Sequence, residues 1–158
     1  IRRQRQMCIR DSYVTAHQNG YDENMFLDPA TRTYVEETGG ANFIFIDKEG
    51  TLVIPKSDSI LPSVTRRSIA VVAKDILGMK VEERPVKLAE LSDFAECGVC
   101  GTAAVVCPVG KVVDHGREIC FPSGMESMGP VIQKLYDTLT GIQMGKIEGP
   151  AGWVHKIM

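Results

Sequence analysis

The sequence predicts an α/β domain of the mixed α+β kind, with mixed sheets and packed helices, on three observations. Short strand-forming runs alternate with stretches of helical periodicity. Several of these runs are joined by hairpin-length turns, which favours a mixed over a purely parallel sheet. The 158 residues, 44% hydrophobic and 24% charged, are enough for one ordinary core.

The elements follow in chain order. Ile1–Ser12 (IRRQRQMCIRDS) carries no periodicity and is rich in arginine. The string resembles translated sequencing-adaptor read-through, so it is set apart as a disordered artefact, and residues 13–158 are read as the domain. The other reading of the segment is a basic arm. Tyr13–Asn19 is the end of a helix closed by Gly20. Asn24–Asp28 and Thr33–Glu37 are strands flanking a Pro29–Arg32 turn, and Thr38-Gly39-Gly40 interrupts them. Asn42–Ile46 is an apolar strand that returns through Asp47–Gly50 into Thr51–Ile54. A helix runs from Leu61-Pro62-Ser63 to Leu77, with Ile69, Val72, Ala73 and Ile76 on its apolar face and Gly78 ending it. Lys80–Arg84 is a strand, Lys87–Phe94 a small helix, and Cys97–Val109 strand-forming sequence broken at Gly101-Thr102. A hairpin turns at Asp114-His115-Gly116, and a last helix spans Met128–Ile142, bearing Val131, Leu135 and Leu139.

Charge and apolar patterning exclude several classes. A net charge of −2 without a basic stripe leaves no nucleic-acid footprint. Apolar runs such as Ile69–Ala73 are too short to cross a bilayer, so no membrane partner is expected. Arg2, Arg3, Arg5 and Arg10 crowd the N-terminus, unlike a signal peptide. Five cysteines in a chain of this size fit reduced thiols, and so a cytoplasmic protein.

Three segments are candidates for holding a phosphorylated ligand. At Leu61–Arg66 a loop enters a helix, whose first N–H groups suit an anion; read locally, Ser63 is equally an N-cap. At Cys100–Ala104 glycine and small residues permit close backbone approach; the same string also reads as a turn or bulge. At Glu36–Asn42 adjacent carboxylates enter a glycine break. One would be solvated and one turned inward to a partner such as a protonated ring nitrogen, and the plainer reading is a surface pair.

In order and spacing, YVEETGGANFIF, ILPSVTRRSI and ECGVCGTAAVVCPVGKV, supported by NGYDENMFLD and Trp153, resemble the bacterial branched-chain aminotransferases of the fold-type IV pyridoxal-phosphate enzymes. The resemblance implies the large C-terminal cofactor domain of the D-amino-acid-aminotransferase-like fold, incomplete at its N-terminal side, with pyridoxal 5′-phosphate as cofactor. It implies that Glu37 pairs with the pyridine nitrogen, that Leu61 packs against the ring, and that the N–H groups of Val64 and Thr65 with the Thr102 hydroxyl hold the phosphate. Thr102 and Ala103 would lie near the substrate carboxylate. Ser63 stands where the family usually has glycine. Vertebrate relatives carry a redox Cys-x-x-Cys ending at the position of Cys107; here its first member is Ala104, so that switch is absent.

Cys97-Gly98-Val99-Cys100 lacks the second ligand pair that a metal site needs and lies in strand-like sequence, so both cysteines are read as buried structural thiols and no metal is expected. No role falls to His17, His115 or His155. The family's cofactor-bearing lysine finds no matching motif; Lys48, Lys56, Lys74, Lys87 and Lys111 read as turn, loop or surface residues. No catalytic residue is therefore assigned, and the isolated chain is expected not to turn over. The implied parent, a homodimer or higher homo-oligomer, transfers the amino group of leucine, isoleucine or valine to 2-oxoglutarate. The alternatives are another fold-type IV enzyme (a D-amino-acid aminotransferase or aminodeoxychorismate lyase) or a non-catalytic binding domain.

Overall fold

The structure, a computed structural model, describes residues 11–155. Helix α1 covers residues 11–18 and ends through Gly20 at φ +79°. Asp11 and Ser12 are thus helical, and the boundary drawn at Tyr13 falls inside a helix; the rest of the leading segment, residues 1–10, lies outside the described residues.

Ten strands follow. They are β1 (Met25–Leu27), β2 (Tyr34–Thr38), β3 (Asn42–Ile46), β4 (Leu52–Pro55), β5 (Val81–Arg84), β6 (Val86–Lys87), β7 (Glu96–Gly101), β8 (Val105–Pro108), β9 (Lys111–Asp114) and β10 (Arg117–Cys120). The first eight form one sheet, and β9 with β10 form a separate hairpin. That hairpin turns through His115 and Gly116 at φ +47° and +85°, the paired left-handed conformation whose twist suits a two-residue connection.

Strand β3 is the hub. All five of its residues are buried; after Asn42 the run is apolar, as a strand with both faces covered should be. Strand β7 pairs antiparallel with it from Asn42↔Cys100 to Ile46↔Glu96. Its other edge is shared: β2 takes Asn42 through Glu37, and β4 takes Phe45 and Ile46. Because two strands divide one edge, the sheet forks there, with β1, β2 and β6 forming the leaf that diverges. On the far side of β4, β5 runs parallel, the single parallel pair of the sheet among the described residues.

One face packs Ile44, Ile46, Leu52 and Ile54 against helices α2 (Val64–Val71) and α3 (Pro130–Gln143), through Ile69, Val72 and Ala73 from one and Ile132, Leu135, Leu139 and Ile142 from the other. The opposite face packs Phe43, Phe45 and Val53 against Leu91, Phe94, Ile119 and Phe121. Helix α2 does not run regularly to Leu77. Val72–Ile76 is a π-turn, marked by Leu77 N–H donating to Val72 O at 3.0 Å. The extra residue shifts the helical phase, so Ile76 is exposed rather than on the apolar face, and Leu77 packs on the core instead. The expected small helix at Lys87–Phe94 is strand β6 followed by a 3₁₀ helix over Leu88–Asp93, in which the Glu90 carboxylate accepts from Lys87 N–H. Met125 and Met144 are exposed.

Candidate functional site

The three segments singled out in the sequence converge at the fork. Strand β2 ends in a turn shaped by Thr38, whose Oγ accepts from the N–H groups of Gly40 and Ala41, and β3 begins at Asn42. Across the sheet Glu37, Asn42, Cys100 and Val106 lie in register on β2, β3, β7 and β8. The β7–β8 turn, Thr102–Ala104, therefore sits beside the β2–β3 turn. A Cβ on Gly101 would meet Gly40 O at 3.4 Å, an ordinary contact distance, so the two turns lie within van der Waals reach of each other.

The third segment is the loop from β4 to α2. Leu61 N–H donates to Glu37 Oε2 at 3.1 Å, and Ser57 Oγ donates to Glu36 Oε1 at 3.0 Å. The two carboxylates thus tie this loop to β2. Glu36 is buried and Glu37 half-buried, so neither belongs to a surface pair, and the inward carboxylate with a protein partner includes Glu36 as well as Glu37. Helix α2 starts at Val64 after Ser63, whose Oγ accepts from Arg66 N–H at 3.3 Å; at φ −62° serine occupies the position without strain. The N-cap reading of Ser63 is therefore realised. It leaves the amides of Val64 and Thr65, the first two of the helix, without an acceptor among the described residues. Arg66 is anchored by Nη1 donating to Pro55 O at 3.2 Å.

Chemically the fork holds a carboxylate at one end and unpaired helix-start N–H groups at the other. Both hydrogen bonds to Glu37 end on Oε2, so Oε1 faces no donor among the described residues. From Leu61 to Val64 the chain spans three residues, at most about 11 Å. It doubles back on the way, with Ser63 N–H donating to Leu61 O at 2.8 Å. A cation at the carboxylate and an anion at the helix start would each meet a complementary group. Leu61 and Val64 are 66% and 61% exposed, so this is an open crevice.

Comparison with known proteins gives the family. The profile of amino-transferase class IV matches residues 14–112, a stretch that contains every candidate site residue. The chain belongs to the class IV aminotransferases. It is 47% identical over 137 residues to a branched-chain-amino-acid aminotransferase of Haemophilus influenzae, covering 87% of this chain and 40% of that one. It is 42% identical over 146 residues to the branched-chain-amino-acid aminotransferase of Helicobacter pylori, covering 92% and 42%. The chain thus spans about two-fifths of the length of the curated relatives it matches. Among solved structures, the branched-chain amino acid aminotransferase of Escherichia coli superposes with a TM-score of 0.76 at 30% identity, over 90% of this chain and 44% of that one. The enzyme of Thermobaculum terrenum in its PLP-bound holo form gives 0.75 at 32%, over 88% and 44%. The mixed sheet with packed helices is therefore the fold of these aminotransferases.

Within this class IV aminotransferase chain, Glu37, Leu61, Val64 and Thr65 meet at the fork, and Thr102 and Ala103 stand exposed on the adjoining turn. Sequence reasoning named Glu36 as one of two adjacent carboxylates, gave Asn42 no role of its own and missed Ser57. Asn42 lay inside a quoted motif, but its partners are contributed by other segments. Cys97 and Cys100 are each 1% exposed and face opposite cores, as an i, i+3 pair in a strand must, so they share no site. Burial pushes the Cys100 thiol up to about 12, slightly offset by the Arg66 charge, and Cys97 is raised well above its usual range by burial alone. Lys48, Lys56, Lys74 and Lys87 are exposed, and Lys111 pairs with Glu118 at 2.8 Å. No three metal-ligating side chains come together among the described residues, and no helix there is long and apolar enough to cross a membrane. A cavity of about 690 Å³ lies elsewhere, between Met25, Leu27, Phe43, Val99, Val109 and Met125; none of the six candidate site residues lines it.

Proposed function

We propose that this chain is the cofactor-binding part of a branched-chain aminotransferase that moves the amino group of leucine, isoleucine or valine to 2-oxoglutarate, with pyridoxal 5′-phosphate as cofactor. The carrying observation is the pairing of an open carboxylate oxygen on Glu37 with the unpaired amides of Val64 and Thr65 in one crevice. It is supported by the relatives' shared name and by the PLP form of a solved neighbour.

Bound there, pyridoxal phosphate supplies an electron sink at its ring. The residues of the chain bind and orient it. Glu37 Oε1 holds the proton of the ring nitrogen, the amides of Val64 and Thr65 take the phosphate at the helix start, and the Thr102 hydroxyl donates to the same phosphate. Leu61 offers its exposed side chain to one ring face, which excludes water from it. The exposed turn at Thr102-Ala103 faces the substrate carboxylate. No lysine of this chain is assigned to bear the cofactor, so the 158 residues by themselves bind without turning over. The active parent is cytoplasmic and a homodimer or higher homo-oligomer.

The test joins the chain to the part of the Haemophilus influenzae relative that it does not cover and assays the three branched-chain amino acids with 2-oxoglutarate. Amino transfer that is lost in Glu37→Ala is expected. A chimera that folds and uses D-amino acids, or that acts as a lyase, would replace the branched-chain assignment. Turnover by the 158-residue chain alone would overturn its assignment as a binding part.

A further inference from the structure

Glu37 offers an oxygen to a ring nitrogen only if its carboxylate is held in one orientation. Asn42 is the side chain placed to hold it. It is 4% exposed, opens β3, and lies in register between Glu37 and Cys100. Its Nδ2 donates to Glu37 Oε2 at 3.0 Å and to Leu61 O at 3.4 Å, using the two hydrogens that a primary amide carries. Leu61 N–H donates to the same Oε2 at 3.1 Å, so three groups close a ring of hydrogen bonds around one oxygen. Two donors on one carboxylate oxygen fix its rotation and turn the other oxygen away from them. Leucine has about the size of asparagine but no N–H to give and no charge; alanine likewise leaves Oε2 with a single donor.

We infer that Asn42 is a positioning residue, which aims the open oxygen of Glu37 at the ring nitrogen and fixes that aim relative to the loop leading into the phosphate-binding helix start. The inference rests on the assignment of Glu37 and of the Val64–Thr65 amides proposed above. It adds a residue that touches no ligand and acts through Glu37.

The test titrates the 158-residue chain with pyridoxamine 5′-phosphate labelled with ¹⁵N in the ring, reading affinity and ring-nitrogen shift at one fixed pH. Inorganic phosphate, followed by ³¹P resonance, is the control ligand. Asn42→Ala and Asn42→Leu are each expected to weaken pyridoxamine phosphate about tenfold, the scale of one charge-assisted hydrogen bond. Both should move the ¹⁵N signal toward the unprotonated position while leaving phosphate affinity within about twofold. Glu37→Gln should show the same ¹⁵N displacement, and adding Asn42→Leu to it should change the signal no further. Equal weakening of both ligands would make Asn42 a loop support and overturn the inference, as would unchanged binding or loss of the folded state in both variants. Wild-type chain that binds pyridoxamine phosphate with an unprotonated ring, or does not bind it, would instead overturn the assignment of Glu37 and the inference with it. A protonated ring in wild type with unaffected variants would sink the Asn42 step alone.

Discussion

The backbone N–H of Leu61 donates to Oε2 of Glu37 at 3.1 Å, joining a loop to a strand across 24 residues of sequence. With Asn42 donating to the same oxygen, the carboxylate of Glu37 supports the crevice as well as facing into it. Changing it therefore has a structural cost that can be separated from any effect on a ligand.

Glu37→Ala leaves the Leu61 N–H and the Asn42 amide without their acceptor and is expected to destabilise the chain by about 1–3 kcal/mol. Glu37→Gln keeps one carbonyl oxygen for those donors and should cost less. Urea unfolding of the two variants checks this order; equal costs would mean that the oxygen is not shared as described.

The N-terminus of helix α3 is capped from a distance. Gly129 has no side chain to serve its first turn, and Glu96 on β7 accepts from Val131 N–H at 3.0 Å and Ile132 N–H at 2.8 Å. A Cβ on Gly129 would sit 2.3 Å from the Glu96 carboxyl. Glu96→Ala is expected to cost about 2–4 kcal/mol, for one buried and one part-buried amide left unpaired. Gly129→Ala should destabilise through the same contact, so the double variant should cost less than the two effects added. Strict additivity in a double-mutant cycle would contradict the shared dock.

Asp28 closes the turn between β1 and β2. Its carboxylate accepts from the N–H groups of Tyr34, Thr31 and Thr33 and from the Thr31 hydroxyl. These bonds, that from Tyr34 foremost, hold its carboxyl well below the usual aspartate range. A depressed folded-state value stabilises at pH above the unfolded value, about 4, and the contribution is lost as pH falls below it. Asp28→Asn should thus be less stable than wild type by a constant margin from about pH 8 to pH 5, a margin that narrows below about pH 4. Thermal melts across that range test the sign.

Thiol chemistry should divide the cysteines by burial. Cys107 and Cys120 are exposed, whereas Cys97 and Cys100 are buried with thiols raised by desolvation. At about pH 8 a disulfide reagent followed by peptide mapping should modify Cys107 and Cys120 in the native chain, and Cys97 and Cys100 only on unfolding. Rapid native modification of Cys100 would contradict its place in the core.

The parts legible in the sequence are those set by local pattern. Strand β3 was readable to its ends because an apolar run buried on both faces needs no partner to be recognised. The His115-Gly116 turn and the Ser63 helix start likewise follow from residue chemistry at single positions. What stayed hidden depends on distant partners or on a shift in phase. The π-turn that exposes Ile76 leaves no mark in hydrophobic spacing, which counts residues and not hydrogen bonds. Glu96 looks like any strand acid until the helix 35 residues on is docked against it. The same holds at the crevice. Glu37 and the Val64–Thr65 amides stood out as candidates, but the role of Asn42 exists only once Leu61 has been brought beside it.

The fork on the edge of β3 also bears on how the chain reaches its native state. Its walls come from β2, the loop before α2 and the β7–β8 turn, and β3 meets β7 only after the forty-nine residues between them have been looped out. Pairings of such high contact order form slowly, because loop-closure entropy is lost before any contact compensates it. A ligand of the crevice therefore finds nothing to hold in the unfolded ensemble and acts on the native population alone. At a hundred times its dissociation constant it would add about 2.7 kcal/mol to the folding equilibrium. Supply of the small molecule thereby becomes a determinant of how much folded protein persists.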